Sequence, residues 1–150
     1  MTVAGLPSVD EHATDIAAGA DDVWRVLVHD VDKAFSGGAV ERYGRVIGCA
    51  DLAASGPRPL AEGSTLPGFR VAAAVPGAEL VLTGRHRFSA YALIFRLDPV
   101  SPGRTRLRAE TRAAFPGVTG GTYRLLVIST GGHAIGVRRL LSSVKRHAES

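Results

Sequence analysis

The sequence predicts a single α+β domain, residues 1–150, in which a curved antiparallel sheet lays its apolar face on one long C-terminal helix. The stretch from Thr105 to Phe115 alternates strictly, with Leu107, Ala109, Thr111, Ala113 and Phe115 on one face and Arg106, Arg108, Glu110 and Arg112 on the other. Successive side chains of a strand point to opposite sides, so this is a half-buried strand with a wet outer face. Two alternating segments before it can be paired with it so that all three agree on one inner face. After it come Tyr123, Leu126, Val127, Thr130, Ala134, Val137, Leu141, Val144 and Ala148 at spacings of three and four, the stripe of an amphipathic helix. A striped helix and a one-faced sheet bury each other. A curved sheet closed in this way is a common means of enclosing a small-molecule cavity.

Taken in order, Val9 to Ile16 reads as the first strand, with His12, Thr14 and Ile16 on one face. Gly19 breaks it. Asp21 and Asp22 then occupy the first turn of a helix, where carboxylates suit the helix dipole. Val23, Trp24, Val26, Leu27 and Val31 supply its apolar side, which carries the helix to about Asp32 and makes Trp24 a buried structural residue. Ser36-Gly37-Gly38 ends any further turn through Ala34 and Phe35. Residues 40–49 do not alternate cleanly, although Tyr43, Val46 and Ile47 favour a strand. Residues 53–63, with Pro57, Pro59 and two glycines, read as a surface loop. Phe69 to Val75 is a strand with Phe69, Val71, Ala73 and Val75 inward, and Pro76-Gly77 turns it.

The register of the next strands can be tested on paper. Leu80, Leu82, His86 and Phe88 share a face, as do Tyr91, Leu93, Phe95 and Leu97. A two-residue turn at Ser89-Ala90 pairs Phe88 with Tyr91, His86 with Leu93 and Leu82 with Leu97, all on one side. Neither turn residue favours positive φ, so a wider loop is allowed, with the facing preserved. A turn through Pro102 and Gly103 then pairs Leu97 with Leu107, Phe95 with Ala109 and Leu93 with Thr111. Phe115-Pro116-Gly117 stops the last strand. Gly131, Gly132 and Gly136 within the terminal helix each cost about 1 kcal/mol relative to Ala, so the helix bends there or its backbone approaches a neighbour closely.

Composition bounds the class. At 150 residues, with 45% hydrophobic and 21% charged residues, the chain is one ordinary globular domain that buries roughly two-thirds of its unfolded surface. No apolar run approaches the about 20 residues a membrane helix needs, the N-terminal stretch does not read as a signal peptide, and the single cysteine, Cys49, suits a reducing compartment. The expectation is a cytoplasmic protein without membrane insertion. The formal net charge of +4 comes almost wholly from arginine, which is interleaved with acids rather than blocked. That pattern fits a GC-rich coding sequence better than a nucleic-acid surface.

Several motifs in order then resemble the START-like superfamily, also called SRPBCC, Bet v 1-like or polyketide cyclase/dehydrase-like. They are Ile16 and Ala18 before a helix carrying Val23, Trp24 and Leu27, the Gly63-Ser64-Thr65-Leu66-Pro67-Gly68-Phe69 entry to the middle strands, and Gly103-Arg104-Thr105-Arg106-Leu107 at a strand start. The resemblance covers nearly the whole chain. It implies a helix-grip fold, a seven-stranded antiparallel sheet wrapped around the C-terminal helix with two short helices near the N-terminal part. It also implies a cavity for lipids, sterols, quinones, hormones or polyketides, and no shared catalytic motif. The chain departs from the pattern in lacking a clear second strand before Gly63 and in the glycines of its last helix.

Candidate ligand contacts follow from the inner face: Leu82, His86, Phe88, Tyr91, Leu93, Phe95, Thr111 and Phe115 on the sheet, with Tyr123, Val127 and His133 on the helix. His86 is the sharpest. An imidazole in an apolar pocket can hydrogen-bond a ligand carbonyl or act as a general base, or it is a core histidine satisfied by Thr111 or a backbone carbonyl. Tyr91 and Tyr123 carry a polar tip on an apolar body and either orient ligand or pack. His133 faces either cavity or solvent, according to the bend of the helix.

The remaining motifs subtract. Residues 117–122 lack the lysine of a phosphate loop, and Thr122 serves better as a helix cap. The five histidines show no metal spacing, and no Gly-x-Ser-x-Gly elbow occurs. Arg138, Arg139, Lys145 and Arg146 suit the C-terminal dipole of the last helix. The leading expectation is a binder or carrier of a small hydrophobic molecule, with no cofactor, no metal and no nucleic acid, and a homodimer allowed. The alternatives are a cyclase or dehydratase using His86, with Tyr91 as its partner, and an interaction module using the outer arginines Arg85, Arg87, Arg106, Arg108 and Arg112.

Overall fold

A computed structural model describes residues 6, 8–35, 55–66, 69–86, 89–114 and 136–150, with backbone only at Val9, Arg85, His86, Ser89 and Ala114. The elements run β1 (Ser8–Ile16), α1 (Ala20–Phe35), β2 (Thr65–Leu66), β3 (Phe69–Val75), β4 (Glu79–His86), β5 (Ser89–Ser101) and β6 (Arg104–Ala114). Residues 136–149 form the C-terminal helix, called α2 here. Among the described residues the strands make one six-stranded antiparallel sheet in the order β1-β6-β5-β4-β3-β2. This is the α+β, helix-grip arrangement, with a curved sheet on a C-terminal helix. The second short helix expected near the N-terminal part and the ambiguous stretch 40–49 fall outside the described residues.

The inner face can be read across the ladder in rows. One row runs Asp10, Thr111, Leu93, Leu82 and Val71, and the next runs His12, Ala109, Phe95, Leu80 and Ala74. Leu80, Leu82, Leu93, Phe95, Leu107 and Ala109 are fully buried, and Val23, Leu27 and Val31 of α1 join them. From α2 come Val137, Leu141 and Val144, part of the stripe expected from the sequence, and Leu140 beside them. The end of α2 is fastened to the end of β1. The Ala17 amide donates to Glu149 Oε2 at 2.8 Å, and Lys145 Nζ donates to the Asp15 carbonyl at 2.7 Å. Those bonds anchor α2 beside Ile16, so the Asp10 row lies toward the opposite end of the sheet.

Two hairpin expectations met different fates. The β5–β6 pairing is the expected one, with Leu97 against Leu107, Phe95 against Ala109 and Leu93 against Thr111. Gly103, at a φ of 78°, supplies the left-handed residue its tight turn requires. In β4–β5, however, Leu82 faces Leu93, Leu80 faces Phe95, Gly84 faces Tyr91 and His86 faces Ser89. Ser89 and Ala90 extend the strand instead of turning it, as their poor turn chemistry warned. The shift moves pairs by an even number of positions, so the inner face is unchanged.

The β3 expectation needs a larger correction. A bulge between Val71 and Ala73 pairs Ala73 with Val81 and Ala74 with Leu80. One extra residue reverses the facing beyond it. Phe69 and Val71 keep the expected side, whereas Ala73 packs with Val81 and Ile94 on the outer face, and Val75 is half exposed. Alternation alone does not mark a bulge in a run of alanines, because no side chain there prefers either face strongly.

Trp24 is also corrected. It is half-buried at the margin of the core, while Val23 and Leu27 are sealed within it. Trp24→Ala is accordingly expected to cost about 2 kcal/mol, less than the about 3 kcal/mol for Leu27→Ala. Urea titration of the two variants compares them directly.

Candidate functional site

The structure brings together Leu82, Leu93, Phe95, Thr111 and Tyr91 on successive rows of the inner face. Tyr91 closes one side of an aromatic group. Its ring meets Phe69 edge-on at 5.2 Å, and Phe69 lies 4.9 Å from Phe35 at the end of α1. Such tilted and edge-on pairs are favoured by the ring quadrupoles. The result is an apolar wall of leucine and phenylalanine with a half-buried tyrosine toward one end.

His86 sits at the end of the β4–β5 ladder against Ser89, two pairs beyond Tyr91's row and four positions from Leu82. On the ladder it therefore does not stand beside Leu93 or Thr111. Phe88, Phe115, Tyr123, Val127 and His133 lie outside the described residues.

A polar pair that sequence reasoning passed over occupies the same rows. Asp10 stands opposite Thr111, and His12 stands opposite Ala109. A bulge between Ser8 and Asp10 sets this register. His12 Nε2 lies 3.2 Å from Asp10 Oδ2, and both side chains are largely buried, at 16% and 22% exposure. The other carboxylate oxygen, Asp10 Oδ1, is buried and has no hydrogen-bond partner among the described residues. Most buried polar atoms are paired, so an orphan acceptor on an apolar sheet face is informative. The sequence puts His12 on one face with Thr14 and Ile16, but only the pairing with β6 marks that face as the inner one.

The outer face carries charge of both signs. Arg106 pairs with Asp15 at 2.8 Å, and Arg108 with Asp98 at 2.6 Å and Glu11 at 3.5 Å. Glu110, almost buried, takes Arg96 at 3.0 Å and Arg112 at 3.1 Å. Burial pushes the Glu110 carboxyl up, but bonds from Arg96, Arg112 and Ser8 outweigh it and hold the group below the usual range. Arg106 and Arg108 are thus paired with acids on neighbouring strands, and Arg112 shares Glu110 of its own strand with Arg96, which disfavours this face as a polyanion surface. Arg85 is described only in its backbone, and Arg87 lies outside the described residues.

One cluster has the composition of a hydrolytic triad without its geometry. Asp30 of α1, its side chain only 4% exposed, accepts from Ser143 Oγ at 2.8 Å and from His147 Nδ1 at 2.9 Å. Both bonds fall on the same oxygen, Oδ2, and Ser143 approaches His147 only at Nδ1, 3.5 Å away. An activated serine must give its proton to the nitrogen that the aspartate does not hold. The cluster instead ties α1 to α2. Among the described residues no group of three or more metal-ligating side chains converges, and no helix is long and apolar enough to cross a membrane.

No family model matches the sequence, and no curated protein matches it. Solved structures do match the fold. The aromatase/cyclase Zhui from Streptomyces sp. R1128 superposes with a TM-score of 0.58 at 16% identity, over 96% of this chain and 94% of that one. Protein CV1439 from Chromobacterium violaceum gives 0.57 at 12% identity, over 94% and 96%. The Aha1 dimer from Colwellia psychrerythraea gives 0.54 at 16% identity, over 90% and 94%. At such identities the likeness speaks for architecture alone. The chain shares the fold of these solved structures, a helix-grip arrangement of a curved antiparallel sheet on a C-terminal helix.

Proposed function

We propose that the protein binds or carries a small hydrophobic molecule between the inner sheet face and the C-terminal helix. The observation that supports this best is the inner wall itself. Leu82 and Leu93 share the row of Thr111, Phe95 lies in the row nearer the anchored end of α2, and half-buried Tyr91 lies one inner-face row further on the other side. Ligand sites typically combine such apolar walls with a few polar groups that fix orientation. The likeness to an aromatase/cyclase fits an aromatic or polyketide-like occupant. His86, Phe88, Phe115, Tyr123, Val127 and His133 remain proposed contacts around the same space.

A cyclase or dehydratase is the second reading. It is favoured by one observation, the largely buried Asp10–His12 pair, which has the make-up of an oriented general base. A full acid/base mechanism needs a second group converging on the same point. Binding without turnover therefore ranks first. Native mass spectrometry of the purified protein is expected to show an adduct of a few hundred daltons that extraction with organic solvent removes. A protein that carries no adduct and takes up no apolar compound would sink the proposal.

A further inference from the structure

We infer that the outward face of α2 is a binding site for a ligand carrying two or more neighbouring phosphate groups. Arg138, Arg139, Ser142 and Arg146 are exposed on that face and line one open concavity of about 530 Å³. A helix turns by about 100° per residue, so these positions share one side of it, opposite the buried Val137, Leu140, Leu141 and Val144. All four side chains can donate hydrogen bonds, and the three guanidiniums can do nothing else. The stripe shares no residue with the inner-face site, so the inference stands apart from the binding reading above.

Most arginines elsewhere are matched with acids, Arg25 with Asp22, Arg58 with Asp32, Arg106 with Asp15 and Arg108 with Asp98. On α2 it is Lys145 that takes Glu149, at 2.8 Å, while Arg138, Arg139 and Arg146 have no acid partner among the described residues. Arg70 and Arg104 also lack one, but they lie on separate strands, β3 and β6. The helix dipole favours cations only in the last turn, so it accounts for Arg146 and leaves Arg138 and Arg139 unexplained. Gathering three like charges without a counter-charge raises the electrostatic energy of each, and a bound anion removes that cost. The spacing argues for the kind of anion. From Arg138 to Arg146 the stripe runs about 12 Å along the axis, with Ser142 one turn from each. A guanidinium fork matches the oxygens of a phosphate group. Three forks spread over that length are engaged together by adjoining phosphates, as in a diphosphate, and not by a single one.

The full-length protein can be titrated calorimetrically near neutral pH, at fixed ionic strength, with inorganic pyrophosphate, orthophosphate and sulfate. Pyrophosphate is expected to bind about tenfold more tightly than either single anion, the gain from one further charge-assisted contact. Arg138→Gln and Arg146→Gln should each weaken pyrophosphate by about tenfold. Arg139→Lys keeps the charge but loses the fork, and it should weaken binding as well. Arg70→Gln removes the same charge from β3 and should leave affinity nearly unchanged. The replaced positions on α2 are exposed and glutamine is a good helix former, so melting temperatures should stay near that of the wild type. ADP and phosphatidylcholine vesicles doped with phosphatidylinositol bisphosphate separate the sources of the phosphates. Binding of ADP without vesicle association assigns a soluble ligand, and vesicle association that Arg138→Gln abolishes assigns a lipid headgroup. Equal affinity for the three inorganic anions overturns the inference, as does a loss in Arg70→Gln as large as in the α2 variants, since either reduces the stripe to bulk charge. Absence of pyrophosphate binding overturns it too. So does tighter binding of duplex DNA than of pyrophosphate at matched salt, which would make the stripe a nucleic-acid surface.

Discussion

Phe95→Ala is expected to destabilise the protein by about 3–5 kcal/mol, the range for truncating a large aromatic side chain in a packed core. Phe95 is 0% exposed and lies on β5, between Leu80 of β4 and Ala109 of β6. It is the largest of the fully buried side chains. The partner residues come from two strands, each held to β5 by its own ladder, so they cannot collapse readily into the space the ring leaves. Chemical denaturation measures the loss, with Val75→Ala, on an exposed side chain, expected within about 0.5 kcal/mol of wild type. The experiment also reports on the interior. If the ring borders open ligand space, the vacated volume joins an existing cavity, and the cost falls toward the transfer contribution alone. A loss below about 2 kcal/mol would mean that Phe95 is a cavity wall before it is a core residue.

Much of the fold was legible because period-two and period-3.6 patterns carry it. The β5–β6 register could be written from the sequence, since Leu93, Phe95 and Leu97 have partners of one face only at one offset. The turn at Pro102-Gly103 fixed that offset. The β4–β5 offset could not be fixed in the same way. No residue near Ser89 demands a tight turn, and offsets that differ by two preserve the facing equally well. What decides between them is the length of strand that can pair, a property of the finished sheet. The β3 bulge escaped for a related reason, because Ala72, Ala73 and Ala74 impose no preference on the side they face.

The candidate site was less legible. His86 stood out because it interrupts an apolar alternation, and polar residues among leucines attract attention. Asp10 and His12 stand on a strand where polar residues alternate with polar residues, so neither face looks like the core. Only the pairing of Ile16 with Thr105, and of Thr14 with Leu107, assigns the even-numbered positions to the inside. The aromatic contact of Tyr91 with Phe69, and of Phe69 with Phe35, likewise depends on bringing the end of α1 to the sheet edge, which no local pattern encodes.

Asp30→Ala is expected to lower stability by about 2–3 kcal/mol near neutral pH, and the loss should shrink in acid. Asp30 is the buried acceptor that joins α1 to α2, taking Ser143 at 2.8 Å, His147 at 2.9 Å and the neighbouring His29 at 3.4 Å. Removing it strips two inter-helix bonds and leaves their donors without an acceptor, each loss being of the order of 1 kcal/mol. Burial pushes the carboxyl up, yet the bonds from Ser143, His147 and His29 outweigh burial and lower it from the usual 3.8. A carboxyl held lower in the folded chain than in the unfolded one adds stability above its unfolded value, and this is lost as pH falls through the folded value. The difference between wild type and Asp30→Ala should therefore be constant above about pH 5 and narrow below about pH 4. Asp30→Asn separates geometry from charge, because it keeps an acceptor for Ser143 but cannot titrate. Its deficit should be smaller than that of Asp30→Ala near neutral pH, and in acid its stability should approach that of the wild type. A wild-type advantage that persists undiminished through the acid range would mean that the fastening of α1 to α2 does not depend on the ionised carboxylate.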